Sequence, residues 1–324
     1  MTLFRRTLVA SLALTSLIST AAQAAYPDQP VHIVVPYTPG GSSDVIARAI
    51  GDELGKVLGQ PVIVDNRAGA GSLIGTQYVA QDPGNGYTLL MADVPFTIVP
   101  AVYRDKVRYD AEKSFAPIAL LGLAPTYLFV NDRSPISTAQ DLVRRAKAAP
   151  DTLSIGSGGN GSLTHLMGAL FMINSGTRLT HIPYKGAAAS VTDLAAGQID
   201  MSFTTMASAS ALYQAGKLRP LAVSSDHRQK DTPAVPTFQE AGVPQMAVES
   251  WWGLMAPAGT PTDVQAILAR AVARVMTTTA VKARMAAVGV SPPADGSPAA
   301  LQKVVKADLA RWQEVVRRAD IKID

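Results

Sequence analysis

The chain has 324 residues and a mass of 34.0 kDa, a length that suits one large domain or two medium ones. Hydrophobic residues make up 48% of it and charged residues only 17%, so it can bury a large core and is not a disordered protein. The net charge of +4 is too small for a general nucleic-acid-binding protein, and the absence of cysteine excludes disulfides, thiolate metal sites and cysteine nucleophiles.

The N-terminal segment has the pattern of a secretory signal peptide. Arg5 and Arg6 give a positively charged start, an apolar run follows over residues 7–20, and Ala22-Gln23-Ala24 is a small-residue cleavage pattern. The apolar run is shorter than the roughly 20 residues that a membrane-spanning helix needs. We therefore expect cleavage after Ala24 and export of the remaining chain, with the general route for unfolded proteins favoured over the twin-arginine route.

Strands and helices alternate in the first part of the mature chain. The predicted strands are Val31–Val35, Pro61–Asp65, Tyr87–Met91, Phe115–Leu123 and Tyr127–Val130. Helices are predicted from Ser42 or Ser43 to about residue 54 and over Ser72–Ala80. Ala124-Pro125 is read as a break between the last two strands.

A second alternating block follows, and the pattern changes near Val248. The predicted elements are helices Ala139–Ala149, Ser162–Ile173 and Ala187–Ala196; strands Leu153–Ile155, Leu179–Pro183, Asp200–Phe203, Leu218–Ser224 and Glu249–Met255; and the helices Pro261–Met276, Ala280–Val288 and Ser297–Arg318. Two blocks with the same order of strand, glycine-rich turn and helix predict an α/β fold of two similar lobes. Each lobe would have a mostly parallel sheet flanked by helices. We expect residues 25–124 and 248–324 in lobe 1 and residues 125–247 in lobe 2.

The first glycine-rich turn runs from Pro36 to Asp44, between a predicted strand and a predicted helix. Such a turn presents backbone N–H groups and the positive end of the helix dipole, which favour a carboxylate or a phosphate. Its glycines let a ligand approach the backbone closely. An ordinary capped turn is the alternative interpretation.

The second turn, residues 156–162, matches the G-x-G-x-x-G pattern of dinucleotide-binding proteins. That pattern also requires an acidic residue at the end of the next strand, and residues 181–185 contain none. A nicotinamide or flavin site is therefore not expected. Two anion-accepting turns in two similar lobes instead suggest a ligand held between them.

Enzyme signatures are weak in this sequence. It contains no G-x-S-x-G or H-E-x-x-H pattern, and its acidic residues lack metal-loop spacing. His32, His181 and His227 are interpreted as packed or exposed side chains. His165 lies one helical turn after Ser162, where the helix N-terminus would keep it neutral and able to donate a hydrogen bond, with packing or capping as the alternative. An exported hydrolase that uses Ser162 and His165 is the rival function, although no orienting acid lies nearby in sequence.

Six ordered motifs together resemble the Bug family of periplasmic solute-binding proteins, the TctC-like receptors of tripartite tricarboxylate transporters. The motifs are Tyr26–Pro30 leading into Ile33–Asp44, then Val64–Ser72, Pro83–Leu90, Gly156–Gly158 with Gly161–Leu166, and Ile182–Gly186. The resemblance extends from about Tyr26 to the C-terminus.

The resemblance implies a two-lobe fold similar to type 2 periplasmic binding proteins, with a small carboxylate in the cleft. It implies a periplasmic receptor rather than an enzyme, without metal or cofactor. In a complete tripartite system the receptor would deliver its solute to an integral membrane permease, and a sensory or docking role is the alternative; we expect a monomer. Carried over to this sequence, the ligand-binding residues are Tyr37, Thr38, Gly40, Gly41, Ser42, Ser43, Asn160, Gly161, Ser162, His165, Tyr184, Lys185, Thr204 and Thr205.

One segment departs from the family pattern. Relatives usually have a small or hydroxylated residue near the position of Asp93, and an asparagine where this chain has Val99. Asp93 lies at a predicted strand end that faces the cleft, so it would repel a fully anionic solute but accept from an ammonium or an amide. Asp93 is therefore added to the ligand-binding residues, and we expect a solute with an amine, amide or hydroxyl group besides its carboxylate. The alternative is that Asp93 caps a short helix near Thr97.

Overall fold

The structure is a computed structural model that describes residues 26–322; the predicted signal peptide and its cleavage site lie outside them. The strands of this region are β1 (Val31–Val35), β2 (Val62–Asn66), β3 (Thr88–Asp93), β4 (Phe115–Asn131), β5 (Ser154–Ser157), β6 (Thr180–Pro183), β7 (Met201–Thr205), β8 (Leu218–Val223) and β9 (Glu249–Pro257). The helices are α1 (Ser42–Leu58), α2 (Leu73–Ala80), α3 (Pro95–Val102), α4 (Ala139–Ala148), α5 (Leu163–Ser175), α6 (Ala187–Ala196), α7 (Met206–Gln214), α8 (Thr262–Val275), α9 (Thr279–Ala287) and α10 (Pro298–Arg318).

The strands are hydrogen-bonded in the order β2-β1-β3-β9-β4-β7-β5-β6, and β8 also pairs with β4. Pairing is parallel where β1 joins β2 and β3 and where β5 joins β6 and β7. It is antiparallel in the middle, where β9 joins β3 and β4, and where β4 joins β7 and β8. The predicted parallel arrangement therefore holds at both ends of the path, joined by antiparallel strands.

The longest strand, β4, connects the two groups of strands. It pairs with β9 from Phe115 to Pro125 and with β7 and β8 from Thr126 onwards. The predicted break at Ala124-Pro125 is therefore wrong, because the strand continues through it. Proline has no N–H to donate, and Pro125 lies where the strand changes partners. The predicted lobe boundaries lie close to this change and remain a prediction.

Helices cover both groups of strands. Ile46, Ile50 and Leu54 of α1 are fully buried in a cluster with β1, as their spacing along the helix predicts. Helices α8 and α9 pack against α1, whereas α10 packs against α3, β4 and α5. Trp312 of α10 is fully buried, so the last helix contributes to the core beside both groups. Between residues 26 and 322, no helix is long and apolar enough to cross a membrane.

Candidate functional site

The predicted binding residues lie at the carboxyl ends of five strands. Tyr37 to Ser43 follow β1, Asp93 ends β3, Asn160 to His165 follow β5, Tyr184 and Lys185 follow β6, and Thr204 and Thr205 end β7. The carboxyl ends of parallel strands meet at the same edge of a sheet. Because β1 is parallel to β3 and β5 is parallel to β6 and β7, the fold gathers these residues into one set per group of strands.

The first loop leaves the start of α1 open. Gly41 is the N-cap residue of α1 and makes no side-chain cap. Gly40 and Gly41 are both exposed, and a Cβ atom added to either would meet no atom within 4 Å. Gly40 has a φ of +96°, a conformation that glycine adopts without strain. The positive end of the α1 dipole therefore lies beside an exposed glycine pair and has no side-chain cap.

Buried hydrogen bonds fix the shape of this loop. Asp44 is 4% exposed and accepts from the Gly40 N–H at 3.0 Å, from Arg48 Nη2 at 2.9 Å and from Asn66 Nδ2 at 2.9 Å. Burial raises the pKa of Asp44, but these hydrogen bonds outweigh it and hold the pKa below its ordinary value. Asn66 also donates to the Tyr37 carbonyl oxygen at 3.1 Å. Asn66 was not among the predicted site residues, although it lies in one of the recognised motifs.

Asp93 joins the two ends of the first loop. Its Oδ1 accepts from the Tyr37 hydroxyl at 2.6 Å and its Oδ2 accepts from the Ser43 hydroxyl at 3.0 Å. Ser43 Oγ in turn accepts from Trp252 Nε1 at 3.0 Å. The capping alternative for Asp93 is wrong, since the helix Pro95–Val102 has no side-chain cap and Asp93 accepts from Tyr37 and Ser43 instead.

The ionisation of Asp93 is unusual. Burial raises its pKa to about 7, against the opposite effect of the hydrogen bonds from Tyr37 and Ser43. The carboxyl group therefore takes up a proton at a higher pH than an ordinary aspartate does. A carboxyl group with this raised pKa repels an anionic solute less than the fully ionised carboxylate expected from the sequence.

The second loop is capped, in contrast to the first. Ser162 Oγ accepts from the His165 N–H at 3.2 Å and donates to the Gly159 carbonyl at 2.7 Å. The His165 ring meets a different group, because its Nδ1 accepts from the Gly161 N–H at 3.1 Å. A hydrolase would need the Ser162 hydroxyl hydrogen-bonded to the His165 ring. Ser162 is instead occupied as the N-cap of α5.

His165 stacks on His181, with ring centroids 4.0 Å apart and an interplanar angle of 10°. Burial, with a contribution from His181, lowers the pKa of His165 to about 4. Because Nδ1 accepts a hydrogen bond, the ring proton is on Nε2, which can donate. The structure thus agrees with a neutral His165, although the main cause is burial rather than the helix end. His181, predicted only to pack, also contacts the buried Ser157 hydroxyl through Nε2 at 2.6 Å.

Helix α6 supplies a second open helix start. Its N-cap residue, Gly186, has a φ of +118°, makes no side-chain cap, and has no atom within 4 Å of an added Cβ. The neighbouring predicted residues are occupied or buried: Tyr184 donates to Asp193 Oδ2 at 2.9 Å, Thr205 caps α7, and Thr204 is 2% exposed. The helix starts without a side-chain cap at the predicted site are therefore those of α1 and α6, although the Gly186 N–H itself donates to the Gly158 carbonyl oxygen at 3.2 Å.

Within the described region, no cluster of histidine, aspartate and glutamate side chains could hold a metal ion. The arrangement offers backbone N–H groups, hydroxyls and a neutral imidazole. Chemically, it can bind an anion by hydrogen bonds.

Residues 46–321 match the family model of the tripartite tricarboxylate transporter family receptor. BugT of Bordetella pertussis is 33% identical over 318 residues, which cover 94% of this chain and 96% of BugT. The structure of MatC from Rhodopseudomonas palustris with bound malate is similar with a TM-score of 0.76 and 30% identity, covering 90% of this chain and 100% of MatC. A second R. palustris protein, whose structure contains adipate, is similar with a TM-score of 0.78 and 34% identity, covering 92% of this chain and 99% of that protein.

Proposed function

Because this chain belongs to the family of tripartite tricarboxylate transporter receptors, we propose that it captures a small carboxylate-bearing solute between its two lobes. Membership confirms the resemblance seen in the motifs and the predicted α/β fold of a periplasmic binding protein. The relatives are binding proteins, and the hydrolase alternative is not supported. The cleavage site after Ala24 and the monomeric state remain predictions.

The observation that carries the proposal is the pair of open helix starts at Gly41 and Gly186. Uncapped N–H groups at a helix N-terminus are hydrogen-bond donors aligned with the positive end of the dipole, and they favour a carboxylate. Asp44 and Asn66 hold the first loop in shape before any solute arrives. A loop that is already ordered loses less conformational entropy on binding.

We favour a dicarboxylate over the solute with an amine, amide or hydroxyl donor besides its carboxylate that was expected from the sequence. Both carboxyl oxygens of Asp93 already accept from Tyr37 and Ser43, so an ammonium would have to compete with these hydroxyls. Because burial raises the pKa of Asp93 to about 7, its carboxyl group can be protonated beside a bound anion. It then repels that anion less than an ionised carboxylate would. The adipate of one related structure supports this preference, whereas the malate of the other has a hydroxyl group and fits both expectations. An amino acid or a pyridine-type acid amide is the second candidate solute.

We also propose delivery of the solute to integral membrane permease subunits. The support is the family itself, whose members are described as receptors of a tripartite transporter.

Thermal unfolding in the presence of a panel of carboxylates tests the proposal, with malate and adipate as the first probes. A solute at 100 times its Kd should add about 2.7 kcal/mol to the free energy of unfolding. The uncharged diamide of adipate is the matched control, since it keeps the carbon chain but has no charge for the helix N-termini to attract. Stabilisation by the diamide but by no carboxylate would contradict the proposal, as would a panel without any effect.

A further inference from the structure

Asp93 is the one acidic group in direct hydrogen-bond contact with both ends of the first loop among the described residues. Asp93 accepts from the Tyr37 hydroxyl, five residues before the start of α1, and from the Ser43 hydroxyl, in the first turn of α1. Trp252 of β9 is in register with Asp93 and donates to the same Ser43 hydroxyl. The carboxyl group thus lies directly beneath the loop at which the solute carboxylate is proposed to bind.

Among residues 26–322, the side chains that contact Asp93 carry no positive charge. It faces Tyr37 from the first loop, Ser43 from α1 and Trp252 from β9, and Tyr109 lies near Tyr37. The charge of the neighbouring Asp44 is already paired with Arg48. Burial without a cationic partner raises the pKa of Asp93 to about 7.

We propose that Asp93 takes up a proton when a carboxylate solute binds at the first loop, so that capture of the solute is proton-linked. The inference rests on the proposed function. A solute oxygen bonded to the first-turn N–H groups would lie within about 9 Å of the Asp93 carboxyl, by way of Ser43 and typical hydrogen-bond lengths. At an effective dielectric constant of about 20, two negative charges at that distance favour the protonated form of Asp93 by about twentyfold.

The sign of the pH effect follows from which form of Asp93 accepts the solute. With a pKa of about 7, the protonated fraction of the free protein decreases about tenfold between pH 6 and pH 8. A solute that requires the protonated form has an apparent Kd divided by that fraction. Its Kd should therefore be roughly five to ten times larger at pH 8 than at pH 6. A solute that pairs an ammonium with ionised Asp93 would show the opposite trend.

Isothermal titration calorimetry with malate and adipate tests the inference. Titrations at pH 6, 7 and 8, each in two buffers with different ionisation enthalpies, give both the Kd and the number of protons taken up. We expect the wild type to take up about half a proton per solute at pH 7. In the Asp93→Asn variant the dependence of Kd on pH should become nearly flat.

Two comparisons separate Asp93 from other titrating groups. His165 and His181 lie at the second loop, and burial lowers the pKa of both. The Asp93→Asn variant keeps these histidines and binds the same solutes. Any pH dependence that remains in this variant therefore comes from the histidines or from ionisation of the solutes. Asp308→Asn is the matched control. Asp308 is a buried aspartate whose pKa is raised by burial, and it contacts Trp251 and Arg311 rather than residues of the two loops. This variant should keep the pH dependence of the wild type.

The outcomes are distinguishable. Binding of a dicarboxylate without proton uptake, and with the same Kd from pH 6 to 8, overturns the inference and leaves the proposed function intact. Release of protons, with weaker binding at low pH, overturns it in favour of an ionised Asp93 that contacts a donor. If neither dicarboxylate binds at any pH, the dicarboxylate class is wrong and the inference falls with it. If Asp93→Asn does not fold, the proton count of the wild type decides.

Discussion

Replacement of Gly41 by valine should abolish solute binding while the protein stays folded. Gly41 has φ −77° and ψ 170°, values in the extended region that β-branched residues adopt readily. A Cβ atom at this position meets nothing within 4 Å, so the valine side chain fits the free protein. The same side chain would occupy the open space beside the start of α1, where the solute carboxylate is proposed to lie.

The expected loss of affinity can be estimated from the hydrogen bonds that the valine would prevent. A hydrogen bond to a charged group contributes about 1.5–3 kcal/mol. If two N–H groups of the first turn bind the carboxylate, their loss costs at least about 3 kcal/mol, or more than about a hundredfold in Kd. Valine is a poorer N-cap residue than glycine, but glycine makes the unfolded chain more flexible. We therefore expect the free energy of unfolding to change by only about 1 kcal/mol.

Calorimetric titration with the best carboxylate of the panel, together with thermal unfolding of the free protein, measures both quantities. Gly259→Val is the matched control, since Gly259 is also exposed and an added Cβ would make only ordinary contacts, the nearest at 3.6 Å from the Pro83 carbonyl oxygen. It should bind as the wild type does. A Gly41→Val protein with wild-type affinity would refute the idea that the first loop holds the solute.

Two further predictions concern pH and closure. Because the pKa of His165 is about 4 in the folded protein, below its ordinary 6.5, the stability that neutral His165 contributes is lost as the pH falls from 6.5 to 4. His165→Gln should reduce that loss by on the order of 2 kcal/mol, measured by denaturant unfolding at both pH values. An unchanged pH dependence would contradict the burial argument. Solute should also bring the lobes together by a hinge where the crossing strands change partners, near Leu123–Tyr127 and Gln245–Ser250. Small-angle scattering should then show a smaller radius of gyration at saturation with solute. The same radius of gyration with and without solute would exclude closure.

The sequence predicted most strands and helices because their local patterns are strong. The apolar run of β1 and the helical spacing of Ile46, Ile50 and Leu54 are examples. Helix α3 was expected only as a short helix near Thr97 without bounds, and α7 was not identified. The residues of α3 are almost all buried and include Pro100, so no polar face marks a helical period. Helix α7 is short and rich in alanine and serine, with Ala209 as its fully buried residue.

The loops of the candidate site were predictable, but the contacts that support them were not. Glycine and serine after a strand are a local signal. The contact between Trp252 and Ser43 joins residues 209 positions apart, and that between Tyr37 and Asp93 joins residues 56 apart. Such contacts depend on the strand order, which places β9 beside β3 and aligns Trp252 with Asp93. One sequence does not reveal that order.

The contacts of the first loop also bear on how a receptor of this kind would close. The hydrogen-bonded residues of the first loop all lie on one side of the point where β4 changes partners. They belong to β1, α1, β3 and β9 or to their connections, and they are Tyr37, Ser43, Asp93 and Trp252. Rotation at that point would move these residues together and leave their hydrogen bonds intact. Closure would then carry the ordered α1 start towards the α6 start without rebuilding either loop. Since α10 packs against both α3 and α5, the same rotation would have to shift α10 against one of them, and this packing would limit the range of the movement.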